Sequence, residues 1–299
     1  MTRLLIVGGG GMLGHKLWQL ADTQIETWAT VRQLTPALRA IGLGRADRTI
    51  ENLDVRHPGS LESALDRARP DVVINCVGIV KQLEAAKDPV ESITINSLHP
   101  HLLARACAAH GIRLIHISTD CVFDGQQGRY KEQDVPNATD LYGRSKALGE
   151  TMGPGALTVR TSIIGRELSG SSGLVEWFLS RRGGVADGFA RAVFSGFTTL
   201  ALAGILLRIL AEHPTLEGLY HVAAAPIDKH TLLSLMNEAY GAGVTITPRN
   251  EPCVDRSLDG AHFARATCIA APDWNAMIAD MAADTTPYDN LRRNQDERR

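Results

Sequence analysis

Tyr142 and Lys146 stand four residues apart in the string Tyr-Gly-Arg-Ser-Lys, a spacing that puts both side chains on one face of a helix. A phenol is a poor acid or base near neutrality, with a pKa of about 10. A nearby ammonium stabilises the phenolate and lowers that value. A Tyr–Lys pair can therefore pass a proton to or from an oxygen at neutral pH, although the spacing alone fits a surface contact equally well. Its surroundings give it weight. Ser118-Thr119-Asp120 lies upstream, at the end of an apolar run that reads as a strand. Ligands of a parallel sheet bind outside the carboxyl ends of its strands. A hydroxyl there would face the same crevice as a glycine turn at the start of the chain. Residues 4–14 supply that turn: Leu4 to Val7 feeds into glycines at 8, 11 and 14, and Met12 and Leu13 open a helix. Glycine permits a sharp turn and close approach to a ligand. The free N–H groups at the helix start suit a pyrophosphate.

These groups need a sheet to hold them. Apolar, β-branched runs recur at 4–7, 26–31, 71–76, 113–118, 157–161 and 219–222. Helical patterns lie between them at 12–21, 60–69, 89–110, 142–152, 174–182 and 199–212. Such alternation implies right-handed crossovers and an α/β fold, a doubly wound, mostly parallel sheet of Rossmann type. Strands such as Val72-Val73-Ile74 are apolar on both faces, as a sheet covered by helices requires. The pattern loosens after about residue 162, where glycine-rich and polar segments predict a smaller C-terminal substrate-binding lobe. The expected division is a dinucleotide-binding domain over 1–162 with returning segments near 190–225, and a lobe over 163–190 and 226–284. The polar stretch 285–299 is expected to be a flexible tail.

Taken together, these motifs resemble the extended short-chain dehydrogenases/reductases, and within them the dTDP-4-dehydrorhamnose reductase family of nucleotide-sugar 4-ketoreductases. The resemblance rests on Gly8/Gly11/Gly14, Asn75-Cys76-Val77-Gly78, Ser118 to Gly125, Asp140 to Lys146 and Arg160-Thr161-Ser162, with Gly218 to His221 and Arg256 to Asp259 further on. It implies that Tyr142 protonates the C4 oxygen of a keto sugar as hydride arrives. Lys146 would tune Tyr142 and hold the nicotinamide ribose, and Thr119 would polarise the carbonyl. Gly8, Gly11, Met12, Leu13 and Gly14 would cradle the cofactor. Asp54 and Val55 would flank the adenine, Cys76, Val77, Gly78 and Ser118 would line the dinucleotide, and Ile163 would lie near the nicotinamide. Asn96 would support the Tyr–Lys site through water. The nucleotide sugar would meet the segments 191–198 and 255–258, with Arg191, Ser195 and Arg256 as ligands; a guanidinium fork suits diphosphate oxygens. Cys121 stands where family members commonly carry an aromatic that touches the sugar, which leaves the substrate's identity open.

NADPH is the expected cofactor, with NADH as the alternative. NAD-specific sheets place an acidic residue after the second strand to hold the ribose 2′-hydroxyl. Here that position is taken by Thr30, Val31 or Arg32, and an arginine can pair with a 2′-phosphate. No metal is expected: the histidines show no ligand spacing, and the 5 cysteines are scattered with no Cys-x-x-Cys pair. With 31 basic and 33 acidic residues, no field of one sign draws in nucleic acid or anionic lipid. No apolar run of about 18 residues suggests a membrane span. A cytoplasmic location is expected, and a homodimer is left open. Two other functions compete. One is a dehydratase or epimerase; dehydratases carry an Asp-Glu acid–base pair straight after the threonine, but Asp120 is followed by Cys121. An NADP-binding regulatory subunit like that of methionine adenosyltransferase could keep the same residues without turnover.

Overall fold

The computed structural model describes residues 2–80, 84–171 and 173–296. The first half runs β1 (Arg3–Val7), α1 (Met12–Ala21), β2 (Glu26–Thr30), α2 (Pro36–Ala40), β3 (Thr49–Ile50), α3 (Pro58–Ala68), β4 (Val72–Asn75), α4 (Pro89–Ser92), a π-helical stretch (Ile93–Leu98), α5 (His99–Ala109) and β5 (Arg113–Thr119). It continues with α6 (Leu141–Leu148), β6 (Ala156–Thr161), β7 (Ile163–Ile164), α7 (Leu174–Leu179), β8 (Val185–Phe189), β9 (Ala192–Phe194), β10 (Phe197–Thr198), α8 (Thr199–Glu212) and β11 (Gly218–His221). The remainder is β12 (Ile227–Asp228), α9 (Lys229–Ala239), β13 (Thr245–Arg249), β14 (Val254–Asp255), α10 (Ala261–Thr267), α11 (Trp274–Ala282) and α12 (Tyr288–Asp296).

Seven strands form the central sheet in the order β11-β6-β5-β4-β1-β2-β3. All their pairings are parallel, with Val7 opposite Asn75 and Asn75 opposite His116. The chain leaves β1 toward one edge and later returns to β4 on its other side. The switch point is therefore the β1/β4 crevice, where a ligand of such a sheet is held. Alternate residues of β1 face opposite layers: Leu4 and Ile6 join one buried cluster with Leu13 and Leu17 of α1 and Leu202 and Leu206 of α8, while Leu5 and Val7 join another with Leu65 of α3 and Leu103 of α5. Both faces of the strand are thus covered, and its carboxyl end is fixed at Val7.

The expected helix at 89–110 is present as one helical run, but it is interrupted by the π-helical stretch and restarts at His99-Pro100. The helices expected over 142–152 and 174–182 end earlier, at Leu148 and Leu179. Outside the central sheet, strands pair in three small groups: β10 with β7, β13 with β8, and the trio β12-β9-β14.

The expected flexible tail is corrected. Residues Tyr288–Asp296 form α12, and Tyr288 is buried against α1. Its hydroxyl lies 2.9 Å from His15 Nε2, and Asp284 accepts from Lys16 Nζ at 2.6 Å. The polar composition hid two apolar anchors three residues apart, Tyr288 and Leu291, both buried. Residues 297–299 lie outside the described residues.

Candidate active site

The glycine turn is built on sterics. Gly8 has φ +92°, and a Cβ there would come within 2.9 Å of the Val77 side chain. A Cβ on Gly14 would stand 2.1 Å from the Gly8 carbonyl oxygen, so only glycine lets α1 pack on the turn. Gly11 has ordinary extended φ and ψ and meets nothing closer than 3.5 Å; it caps α1 without a side chain. The third steric glycine is Gly9, where a Cβ would lie 2.9 Å from Ala29. Thr30 Oγ1 accepts from Gly8 N at 3.1 Å and ties the turn to β2. Met12 is half-buried at the first helical position, and Leu13 is in the core. The result is a close-packed turn with helix amides at its mouth, a cradle that any Cβ at Gly8 or Gly14 would fill. It fits a dinucleotide pyrophosphate.

Around that cradle, Cys76 and Val77 are half-buried and Gly78 is exposed beside Lys146, whose Nζ would lie 3.9 Å from a Cβ built there. Arg32 is exposed in the loop after β2. Asp54 follows β3 but is engaged by Arg56, whose Nη2 donates at 2.7 Å and which also bridges to Glu91 at 3.1 Å. That guanidinium holds the Asp54 carboxyl well below the usual carboxylate range. Val55 is half-buried and packs on the cluster that covers the Leu5/Val7 face. Ile163 lies on β7, half-buried, opposite Phe197.

The end of β5 and the start of α6 bring the reactive groups together. Asp140 caps α6 through Gly143 N at 2.9 Å and so places Tyr142 in its first turn. Gly143 lets α6 touch the loop after β5, since a Cβ there would meet the Cys121 carbonyl at 2.1 Å. Thr119 is buried; its hydroxyl donates to Asp120 Oδ1 at 3.1 Å and accepts from Cys121 N at 3.1 Å, close enough to act on the Tyr142 phenol. Burial pushes the Tyr142 pKa above its ordinary value, the Cys121 thiol and the Asp120 carboxylate add to the rise, and Thr119 opposes it. Lys146 reaches back to β5. Its ammonium donates to the Ile117 carbonyl at 2.8 Å, and burial brings its pKa down to about 8. Tyr142 is therefore held as the neutral phenol, the form that donates a proton.

Ser118 does not share the crevice. It is buried and donates to Glu150 Oε1 at 2.7 Å, within an ion pair that Glu150 makes with Arg160 at 2.7 Å. In a strand successive side chains alternate, so Ser118 and Thr119 point to opposite faces of the sheet.

Behind Lys146 the π-helical stretch aims Asn96 inward. Asn96 Oδ1 accepts from Ile79 N at 2.9 Å, and its amide donates to Ile79 O and Ser145 Oγ at 3.1 and 3.2 Å. A Cβ on Gly149 would stand 1.9 Å from the Asn96 carbonyl, which shows how closely α6 crosses that stretch. π-turns of this kind gather at functional sites. Deeper still, Asn75 donates to His116 Nδ1 at 3.2 Å. Among the described residues, His116 Nε2 and both ring nitrogens of His99 are buried without a partner. Burial and the nearby Lys146 charge keep both rings neutral, His99 down at about 4.

On the far side of Tyr142, Cys121 is half-buried beside the buried Asp120, and burial pushes its thiol up to about 12. A thiol held protonated is no nucleophile. Arg256, just past β14, is half-buried; its Nε donates to the Phe123 carbonyl at 2.9 Å and its Nη2 to that of Asp124 at 3.3 Å. It clamps the loop that carries Asp120 and Cys121. Arg191 is exposed in the turn between β8 and β9. Ser195 is buried, and its hydroxyl accepts from Leu258 N at 2.8 Å, which fastens the turn after β9 to the segment after β14. Trp177 packs half-buried against the core. One residue near the site escaped sequence reasoning: Lys229, whose charge acts on Asp120 and Cys121. It is 83 residues past Lys146, and no local motif marks it.

Among the described residues there is no cluster of His, Cys, Asp and Glu able to hold a metal, and no helix is long and apolar enough to cross a membrane. The family described as the RmlD substrate binding domain matches residues 1–232. A dTDP-4-dehydrorhamnose reductase of Mycolicibacterium smegmatis is 30% identical over 94% of this chain and 85% of its own length. One from Aggregatibacter actinomycetemcomitans is 29% identical over 95% of this chain and 99% of its own. In fold, the chain is similar to a Bacillus anthracis dTDP-4-dehydrorhamnose reductase solved in complex with NADP, with a TM-score of 0.79 at 21% identity, covering 95% of this chain and 100% of that one. The glycine cradle at the β1/β4 switch, the Thr119–Tyr142–Lys146 grouping and this full-length likeness lead to one conclusion: the chain belongs to the dTDP-4-dehydrorhamnose reductase family.

Proposed function

We propose that this protein reduces the 4-keto group of a nucleotide-activated 6-deoxy sugar at the expense of NADPH. The observation that carries the reading is the placement of Thr119, Tyr142 and Lys146 beside the glycine cradle, with Tyr142 held protonated. A bound nicotinamide dinucleotide supplies the hydride. Gly8, Gly11, Met12 and Gly14 would hold its pyrophosphate, Arg32 its 2′-phosphate, and Cys76 to Gly78 its middle.

This chain's own residues do the rest. Thr119 offers a hydroxyl to the sugar carbonyl oxygen and polarises it. Tyr142 gives its phenolic proton to that oxygen as negative charge develops there. The Lys146 ammonium, charged at neutral pH, stabilises the phenolate left behind. Asn96 and the Ile117 carbonyl hold α6 and Lys146 in register for that step. Binding of the remote nucleotide by the C-terminal segments, Arg191 among them, positions C4 against the hydride donor. The division into a dinucleotide-binding domain and a substrate lobe belongs to this reading; the small sheets β12-β9-β14 and β13-β8 would form the lobe's frame. So do a cytoplasmic setting and assembly as a homodimer.

The test is turnover. Purified protein with dTDP-4-dehydrorhamnose should consume NADPH absorbance in proportion to sugar reduced. Binding of NADPH with no reduction of any dTDP-, UDP- or GDP-4-keto-6-deoxy sugar would favour a regulatory subunit instead.

A further inference from the structure

The trio β12-β9-β14 places one cation where the reaction described so far has no use for it. Lys229 follows β12 directly as the first residue of α9. Its neighbour Asp228 is committed elsewhere, to Thr231 N at 2.9 Å and Thr231 Oγ1 at 2.7 Å. Among the described residues the Lys229 ammonium has no ion pair and no hydrogen bond; it rests on the Phe194 ring, 4.3 Å from the centroid. It is half-buried, and burial lowers its pKa while Asp120 and Cys121 raise it. An ammonium drawn out of water without an acceptor is costly, and a cation–π contact offsets part of that cost.

Its position is built. Phe194 pairs with Ile227 on β12, and Arg256 N bonds back to Val193 O at 3.0 Å. Asp255 N donates to the Gly125 carbonyl at 2.7 Å, so the trio is fastened to the loop that follows Thr119. Lys229 is therefore held, with that trio, near the loop that carries Asp120 and Cys121, whose charges it feels. The charged and titratable groups it meets are Asp120 and Cys121 after β5, on which Arg256 after β14 also acts, and Asp228 beside it.

Resting on the ketoreductase reading, we infer that Lys229 donates a hydrogen bond to the 3-hydroxyl oxygen of the bound 4-keto sugar and so selects among sugars. The chemistry leaves little choice. When C4 sits at Tyr142 and Thr119, the ring carbons beside it are C3, which bears a hydroxyl, and C5, which bears a methyl in a 6-deoxy sugar. An ammonium needs an oxygen, and C3 supplies one. Asp120 is the acceptor across the same space, so donor and acceptor can read one hydroxyl from both sides.

The test pairs an enzyme variant with a substrate variant. Wild type, Lys229→Met and Lys229→Arg are assayed on dTDP-4-dehydrorhamnose and on its 3-deoxy analogue. Wild type should prefer the 3-hydroxyl substrate by about 10- to 100-fold in kcat/KM, the worth of a hydrogen bond to a charged group. Lys229→Met should erase that preference by slowing only the 3-hydroxyl substrate, and Lys229→Arg should restore part of it. Calorimetric titration of dTDP and of NADPH should give the same affinities for wild type and Lys229→Met, which also certifies the fold. Equal losses on both substrates, or no loss on either, overturns the inference. Wild type that reduces neither substrate overturns the ketoreductase reading, and the inference falls with it.

Discussion

At the scale of single residues, the site is arranged so that a phenol stays a proton donor until hydride arrives. The spacing of Tyr142 and Lys146 suggested that the ammonium lowers the phenol's pKa; burial works in the other direction. Burial raises Tyr142, and Lys146 is turned to the Ile117 carbonyl. A donor in a reduction needs the neutral phenol, and the ammonium matters once the phenolate exists. Replacing Tyr142 with Phe keeps the ring and removes the proton. We expect kcat to fall by about 10²–10⁴-fold while the NADPH dissociation constant stays within a few fold; stopped-flow reduction and fluorescence titration of the same preparation measure the two. Arg32 gives a second residue-scale expectation. It is exposed in the loop after β2. Arg32→Ala should cost NADPH about 10-fold or more in kcat/KM through a lost charge-assisted contact and leave NADH unchanged; equal effects on both cofactors would remove Arg32 from the cofactor site.

At the scale of elements, the strands, the glycine turn and the parallel sheet were legible because each rests on local pattern: β-branched runs, a glycine triplet, a strand-end hydroxyl. Which glycines matter was not, because that depends on what packs against each one. Gly14 sits 2.1 Å from a backbone oxygen once given a Cβ, whereas Gly10 meets nothing closer than 3.8 Å. Gly14→Ala should push α1 off the turn and weaken NADPH binding by at least about 10-fold, and Gly10→Ala should leave it within about 2-fold, as overpacking against backbone costs roughly 1–3 kcal/mol. Titration of NADPH into both variants decides it, and equal affinities would show that the turn adapts. The same dependence on tertiary contact explains other differences. Ser118 and Ser195 read as ligand-facing hydroxyls, yet Glu150 and the Leu258 amide hold them. The π-helical stretch was invisible for a related reason. Its sequence keeps helical composition, and the inserted turn follows from α6 crossing at Gly149.

At the scale of the whole molecule, the last helix is tied to the glycine turn and is not an appendage. Polar composition predicted a flexible tail from residue 285, but buried Tyr288 and Leu291, with ion pairs from Asp289 to Arg166 and from Arg292 to Glu176, dock α12 on the body of the protein. The contact reaches the glycine turn: His15 Nδ1 donates to the Gly11 carbonyl at 2.9 Å, and Nε2 accepts from the Tyr288 hydroxyl at 2.9 Å. Burial brings the His15 pKa from 6.5 to about 4. The sign follows from proton counting. Between pH 6.5 and 4 the unfolded chain binds this proton and the folded chain does not, so His15's contribution is present above pH 6.5 and lost as pH falls toward 4. At pH 5 the loss from this one group is about 2 kcal/mol relative to pH 7. His99 and His116, shifted the same way, add to the slope. Urea unfolding from pH 7 to pH 5 should therefore show falling stability in wild type. In His15→Leu the curve should start lower, since Gly11 and Tyr288 lose a partner, but fall less steeply by the share of one proton. An unchanged slope in that variant would mean that His15 titrates as an exposed histidine does, and that α12 leaves α1 before the rest of the molecule unfolds.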